Sequence, residues 1–165
     1  MISKAEFKQL FDRYFDTIRT FIFYRCGDTD MASDMAQDVF MKVWEKREQW
    51  TGDNLKSLLY KMANDMVISN YRKRTRSAHF RQSMVLHGEE TVSPEEDLLF
   101  EELASSYASA LEKMQETQRT VFLMSRNDGL KYQEIAGYLD ISVKAVEKRM
   151  SAALQFLRTE LLSYN

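Results

Sequence analysis

One cysteine, one proline and five glycines in 165 residues exclude several classes of protein at once. A lone Cys26 leaves no internal disulfide and fits a reducing compartment. Glycine and proline this scarce argue against a strand-rich fold, whose turns depend on them, and favour helices joined by short connections. The chain also lacks any run of ~18 uncharged apolar residues, so no membrane span is expected. Residues 1–25 hold Lys4, Lys8, Asp12, Arg13, Asp16 and Arg19 where a secretory signal would be apolar, and a cytoplasmic location is expected. Both histidines, His79 and His87, fall in a polar stretch, Cys26 has no histidine near it in sequence, and neither a Gly-rich phosphate loop nor paired metal-ligand spacing occurs. Hence no metal, no cofactor, no small-molecule substrate and no enzymatic activity are expected.

What is present suffices for a core: 44% hydrophobic content with 12% aromatics, in one domain or two small ones. From Phe7 to Arg74 apolar residues recur every three or four positions, with breaks at 27–30 and 50–54, which predicts three or four helices. Residues 75–91 lose that period and gather Ser77, His79, Gln82, Ser83, His87 and Gly88, a linker by composition. Ser93-Pro94-Glu95-Glu96 then starts a helix: a capping serine, proline at the first helical position, carboxylates at the positive end. The expected fold is all-α, with two small helical domains, 1–76 and 93–165, joined by a flexible linker over 77–92. Charge is segregated although the net value is only −2: Arg72, Lys73, Arg74, Arg76 and Arg81 form a basic block, and 89–102 an acidic one. With a linker spanning roughly 20 to 25 Å, the acidic run is expected to close the domains weakly over one another in the free chain.

Residues 130–158 read as a helix, a turn and a second helix. Ile135, Ala136 and Leu139 share one face of the first, Ile141 plugs the turn, Ser142 is an N-cap, and Val146, Met150, Ala153, Leu154 and Leu157 form the buried stripe of the second. Lys144, Lys148 and Arg149 remain on its exposed face, where the second helix of such a pair enters a major groove. The same pattern occurs in plain three-helix bundles, but turn chemistry and spacing favour DNA reading. In the first half, Ala32, Met35, Ala36, Val39, Phe40 and Val43 make an apolar stripe on a surface helix, and Tyr60 and Tyr71 beside Lys61 and Arg72 are a mixture that stacks unpaired bases and holds a phosphate backbone, although taken alone a core aromatic followed by a charged helix end fits it better.

These segments carry a resemblance. DMAQDVFMKVWEK resembles the polymerase-docking helix, SLLYKMANDMVISNYRKR the strand-opening helix and LKYQEIAGYLDISVKAVEKR the promoter-reading helix-turn-helix of the extracytoplasmic-function sigma factors of bacterial RNA polymerase, in the same order and over nearly the whole chain. The resemblance implies a specificity subunit without catalysis of its own, which directs core polymerase to promoters and opens them. It implies that Asp34, Gln37, Asp38 and Lys42, with Trp44 beside them, dock on the clamp of the largest subunit, the flap being a further core contact. It implies that Lys61, Asn64, Asp65, Ser69, Asn70, Arg72, Lys73 and Arg74 meet the minus-ten element. At minus thirty-five, Arg119 and Lys131 would touch phosphates, while Ser142, Lys144, Glu147, Lys148, Arg149 and Ser151 would line the groove. Promoter DNA and an anti-sigma factor, in this family often tethered to a membrane, are the further partners implied. The chain departs from the family pattern at Met114-Gln115, where Leu-Pro is usual, at Asn64-Asp65, where Arg-Asn is common, and at Glu147 and Ala152, often basic, so promoter sequences do not transfer from relatives. A stand-alone helix-turn-helix repressor is the alternative, but it leaves the Asp34 to Trp44 helix unexplained.

Overall fold

The computed structural model describes residues 1–71 and 94–162, all of whose regular structure is helical. The helices are α1 (Lys4–Cys26), α2 (Thr29–Glu45), α3 (Leu55–Tyr71), α4 (Pro94–Lys113), α5 (Glu116–Arg126), α6 (Tyr132–Leu139) and α7 (Val143–Leu162), with a 3-10 turn, Arg47–Gln49, before α3. The expected linker and the whole basic block, with the minus-ten candidates Arg72, Lys73 and Arg74, lie outside the described residues. Among those described, no helix is long and apolar enough to cross a membrane.

Local chemistry sets the helix ends. Ser3 and Glu6 form a capping box at α1: the Ser3 hydroxyl accepts from the Glu6 N–H at 3.2 Å, and the Glu6 carboxylate accepts from the Ser3 N–H at 2.7 Å. Those bonds hold the Glu6 carboxyl below its ordinary pKa. Gly27 ends α1 at φ +69°, a left-handed position that costs glycine little, and Asp28 at once caps α2 by accepting from the Met31 N–H at 3.1 Å. The α2 stripe is buried as its spacing predicts, and Phe40 at its centre meets the rings of Phe7, Phe11 and Phe15 at 6.4, 5.2 and 5.9 Å. Helices α1, α2 and α3 pack on one another around this cluster.

In the second half α5 buries six consecutive residues, Arg119 to Met124, the last four of them apolar. One apolar stripe cannot do this; α5 has neighbours on two sides, α7 and α1. The turn between α6 and α7 passes through Asp140 at φ +54°, a left-handed position that Asp tolerates better than most side chains. The Ile141 N–H closes the turn on the Ala136 carbonyl at 3.0 Å, and the Ser142 hydroxyl caps α7 by accepting from the Ala145 N–H at 3.0 Å. Ser142→Ala is expected to cost about 1 kcal/mol of stability, and Ser142→Asp much less, in denaturant midpoints.

The two halves are not apart. Helix α1 packs on α5 and α3 packs on α6, so one apolar core runs through both.

Candidate nucleic-acid interface

Three surfaces follow from this packing. On α2, Asp34, Gln37, Asp38 and Lys42 are exposed on the side opposite the buried stripe. Met41 stands among them, 58% exposed, an apolar side chain out of register with the core. Sequence reasoning passed over it, although its spacing from Asp34, Gln37 and Asp38 puts it on their face. Trp44 borders this face half-buried, its ring 5.0 Å from Phe7 and covered by the Arg47 guanidinium at 4.4 Å.

On α3, Lys61, Asp65, Ser69 and Asn70 are exposed and Asn64 is half-buried. A cleft of about 670 Å³ separates Lys61, Asn64 and Asp65 from Gly137, Tyr138 and Asp140 of the α6 end, and Trp50 and Asn54 also line it. The Trp50 Nε1 donor is buried here and finds no acceptor among the described residues. Sequence reasoning read 50–54 as a break between helices and gave it no role.

The helix-turn-helix presents Lys131, Ser142, Lys144, Glu147, Lys148 and Ser151 to solvent, with Arg149 half-buried. Beneath them Ile135, Ala136, Leu139, Val146, Met150, Ala153 and Leu157 are buried and Leu154 half-buried, which fixes the angle between α6 and α7. The row of groups on α7 can reach base edges and phosphates of a duplex.

Arg119 requires a correction. Expected at a phosphate, it is 8% exposed; its Nε donates to the Tyr24 carbonyl at 2.6 Å, Nη2 to the Arg25 carbonyl at 3.0 Å and Nη1 to the Leu111 carbonyl at 3.2 Å. The last carbonyls of α1 have no partner within their helix and carry its negative end, and a guanidinium with five donors satisfies both conditions. Around it the halves are tied by further pairs. Arg25 Nε donates to the Glu116 carboxylate at 2.5 Å, with only 11% and 13% of the two side chains exposed, and Arg25 Nη1 donates to the Asn64 amide oxygen. The Tyr24 hydroxyl donates to Asp128 at 2.8 Å. Burial, then the Asp128 charge, pushes the Tyr24 hydroxyl pKa well up; loss of hydration likewise raises that of Asp128, against the pull of Tyr24 and Lys56. Tyr138 stacks on Tyr60 at 4.3 Å, and Lys56 lies over the Tyr138 ring at 5.4 Å. The acidic run was expected to make this closure; of its charged side chains within the description, Glu101 and Glu102 are exposed on α4, away from these pairs.

Helix α4 carries a fourth surface. Leu98, Leu99, Phe100 and Leu103 are all more than half exposed, a contiguous apolar turn and a half.

Two stretches match known families: 10–77 matches Sigma-70 region 2, and 105–157 matches Sigma-70 region 4. The chain is 26% identical to the ferric citrate uptake sigma factor FecI of Escherichia coli (strain K12) over 159 residues, 96% of this chain and 92% of that protein. It is 23% identical to the ECF RNA polymerase sigma factor SigW of Bacillus subtilis (strain 168), over 94% of this chain and 88% of that one. Among solved structures, the sigma factor RpoE of Bartonella quintana, in complex with the anti-sigma factor NepR, superposes with a TM-score of 0.66 at 25% identity, covering 94% of this chain and 96% of that chain. CnrH in complex with the cytosolic domain of CnrY shares the fold, with a TM-score of 0.68 at 21% identity over 99% of this chain and 92% of that chain.

Proposed function

This chain belongs to the extracytoplasmic-function group of RNA polymerase sigma factors, and on that premise we propose how its residues divide the work. The unit of 1–76 docks on core polymerase through the exposed α2 face, Asp34, Gln37, Asp38, Met41 and Lys42, with Trp44 at its border. Met41 supplies the apolar centre such a polar patch otherwise lacks, since interface energy concentrates where water is fully excluded. The α3 face, Lys61, Asn64, Asp65, Ser69 and Asn70, continued in sequence by Arg72, Lys73 and Arg74, meets the unpaired strand at the minus-ten element. The unit of 93–165 reads the minus-thirty-five duplex with Ser142, Lys144, Glu147, Lys148, Arg149 and Ser151, Lys131 touching phosphate at the edge. Asp65 and Glu147 accept hydrogen bonds and so suit a cytosine amino group better than a phosphate.

The observation that carries this reading is the coexistence in one chain of a region 2 and a region 4, each exposing a polar helix face that its own core does not use. A stand-alone repressor would have no use for the first unit. The chain acts in the cytoplasm, where its polymerase is, and performs no catalysis itself; an anti-sigma factor is the second protein partner, for which the leucines and Phe100 of α4 are the available apolar surface. The test is reconstitution: core polymerase with this chain initiates from a cognate promoter, and core alone does not. Promoter-dependent initiation absent with active core would overturn the assignment.

One residue-level result is expected alongside. Lys148→Ala weakens binding to the minus-thirty-five duplex. If Lys148 contacts phosphate, the loss is uniform across sequences and the slope of log affinity against log salt falls by about one; if it contacts a base, discrimination relaxes at one position. A variant unchanged in both quantities would place α7 with another face toward DNA.

A further inference from the structure

We propose that Met41 is a site of reversible oxidation by peroxide, and that its sulfoxide weakens the docking of this chain on core polymerase. The proposal rests on the docking reading of α2 given above and adds a modification that the polar residues of that face cannot undergo. Of the ten methionines, all but Met84 lie among the described residues. Met35, Met114, Met124 and Met150 are buried, and Met31, Met62 and Met66 are half-buried against the core. Among those described, Met1 at the chain start and Met41 are the two more than half exposed. The thiol that would compete for oxidant, Cys26, is buried, with its Sγ 3.3 Å from the Asp28 carbonyl oxygen. Oxidant reaches a buried sulfur when the fold opens around it, whereas Met41 needs no opening.

The position of Met41 decides what its oxidation does. Phe40 before it and Val43 after it are buried, and Met41 falls on the opposite side of α2 with Asp34, Gln37 and Asp38. Its sulfur attacks the near oxygen of hydrogen peroxide: an S–O bond forms, the O–O bond breaks, and the far oxygen leaves as water with the proton of the near one. Sulfur gives up two electrons and the peroxide takes them. An apolar thioether thereby becomes a polar sulfoxide that accepts hydrogen bonds. In the free chain this disturbs little, because the side chain already stands in water. At the centre of a docking patch the sulfoxide must be stripped of its water, where the thioether gained by leaving it. Oxidation therefore acts on binding rather than on folding. Two electrons and two protons from a thiol-dependent reductase restore the thioether, the sulfoxide oxygen leaving as water. Bound core covers Met41, so the modification falls on chain not yet in a holoenzyme.

The test uses the full-length chain, core polymerase and hydrogen peroxide. Peptide mass spectrometry after graded exposure gives the order in which the methionines gain oxygen. Titration of labelled core gives the affinity before oxidation, after it, and after treatment with a methionine sulfoxide reductase. Met41 is expected to oxidise ahead of the buried and half-buried methionines, and much more slowly when core is bound. The oxidised chain is expected to bind core roughly tenfold more weakly, the least loss expected at the water-free centre of an interface. Helicity is expected to stay unchanged, and the reductase to restore the affinity. Met41→Leu keeps an apolar side chain without the sulfur, and its affinity is expected to be the same before and after peroxide. Met41→Gln is expected to bind weakly from the outset, with no further loss on oxidation. Equal peroxide sensitivity of the wild type and Met41→Leu would place the lesion elsewhere and overturn the proposal. So would a Met41 sulfoxide that binds core as tightly as the thioether, or a Met41 that bound core does not protect. An unoxidised wild type that fails to bind core would remove the docking reading itself, and the proposal with it.

Discussion

Asp38→Lys is expected to lower affinity for core polymerase at least roughly 30-fold while leaving the fold intact. The size of the effect follows from the cost of removing one partner of a charged pair at an interface centre, ~2 to 5 kcal/mol. Preservation of the fold follows from the position: Asp38 is exposed on α2, between Gln37 and Met41, while the helix is held from behind by Val39, Phe40 and Val43. Titration of labelled core gives the affinity, and circular dichroism the control. Equal core binding by the wild type and Asp38→Lys would remove α2 from the docking surface.

Phe40→Ala is expected to be the most damaging single truncation, at roughly 3 to 5 kcal/mol. Phe40 is 2% exposed and is enclosed by the rings of Phe7, Phe11 and Phe15, so its removal leaves a void bounded by rigid aromatics that cannot collapse into it. Urea melts are expected to show a lower midpoint at an unchanged slope. Phe100→Ala is the matched control: the same atoms are removed from a side chain 51% in water, and the midpoint barely moves. Comparable losses at the two sites would contradict the packing described for α2.

The contrast between these two phenylalanines shows what could be read from the chain alone. Phe40 belongs to a period shared with Ala32, Met35, Ala36, Val39 and Val43, and a period fixes a face. The breaks at 27–30 and 50–54, the helix-turn-helix stripe and the Ser142 cap were legible for the same reason: each is decided by residues within a few positions of one another. Leu98, Leu99, Phe100 and Leu103 resisted such a reading, because whether an apolar helix face is covered depends on what packs there. Arg119 failed for a related cause. In its own helix it sits beside Gln118 and Thr120 and reads as surface, and the carbonyls that bind it belong to Tyr24, Arg25 and Leu111, whose backbone oxygens have no signature in sequence. Met41 was within reach, since its spacing places it on the docking face, but apolar character directs attention to the core. The salt-screened closure expected from the acidic run rested on charges counted along the chain, whereas Arg25 and Glu116 meet 91 positions apart in a setting that counting cannot register.

The dependence of the end of α1 on Arg119 gives the chain a schedule. The guanidinium that finishes the helix lies 94 residues downstream of Arg25, whose carbonyl it binds. At synthesis rates of ~5 to 20 residues per second, that interval lasts about 5 to 20 s on the ribosome. During it the N-terminal helices are already out, and the last carbonyls of α1 must be met by water until the Arg119 guanidinium arrives.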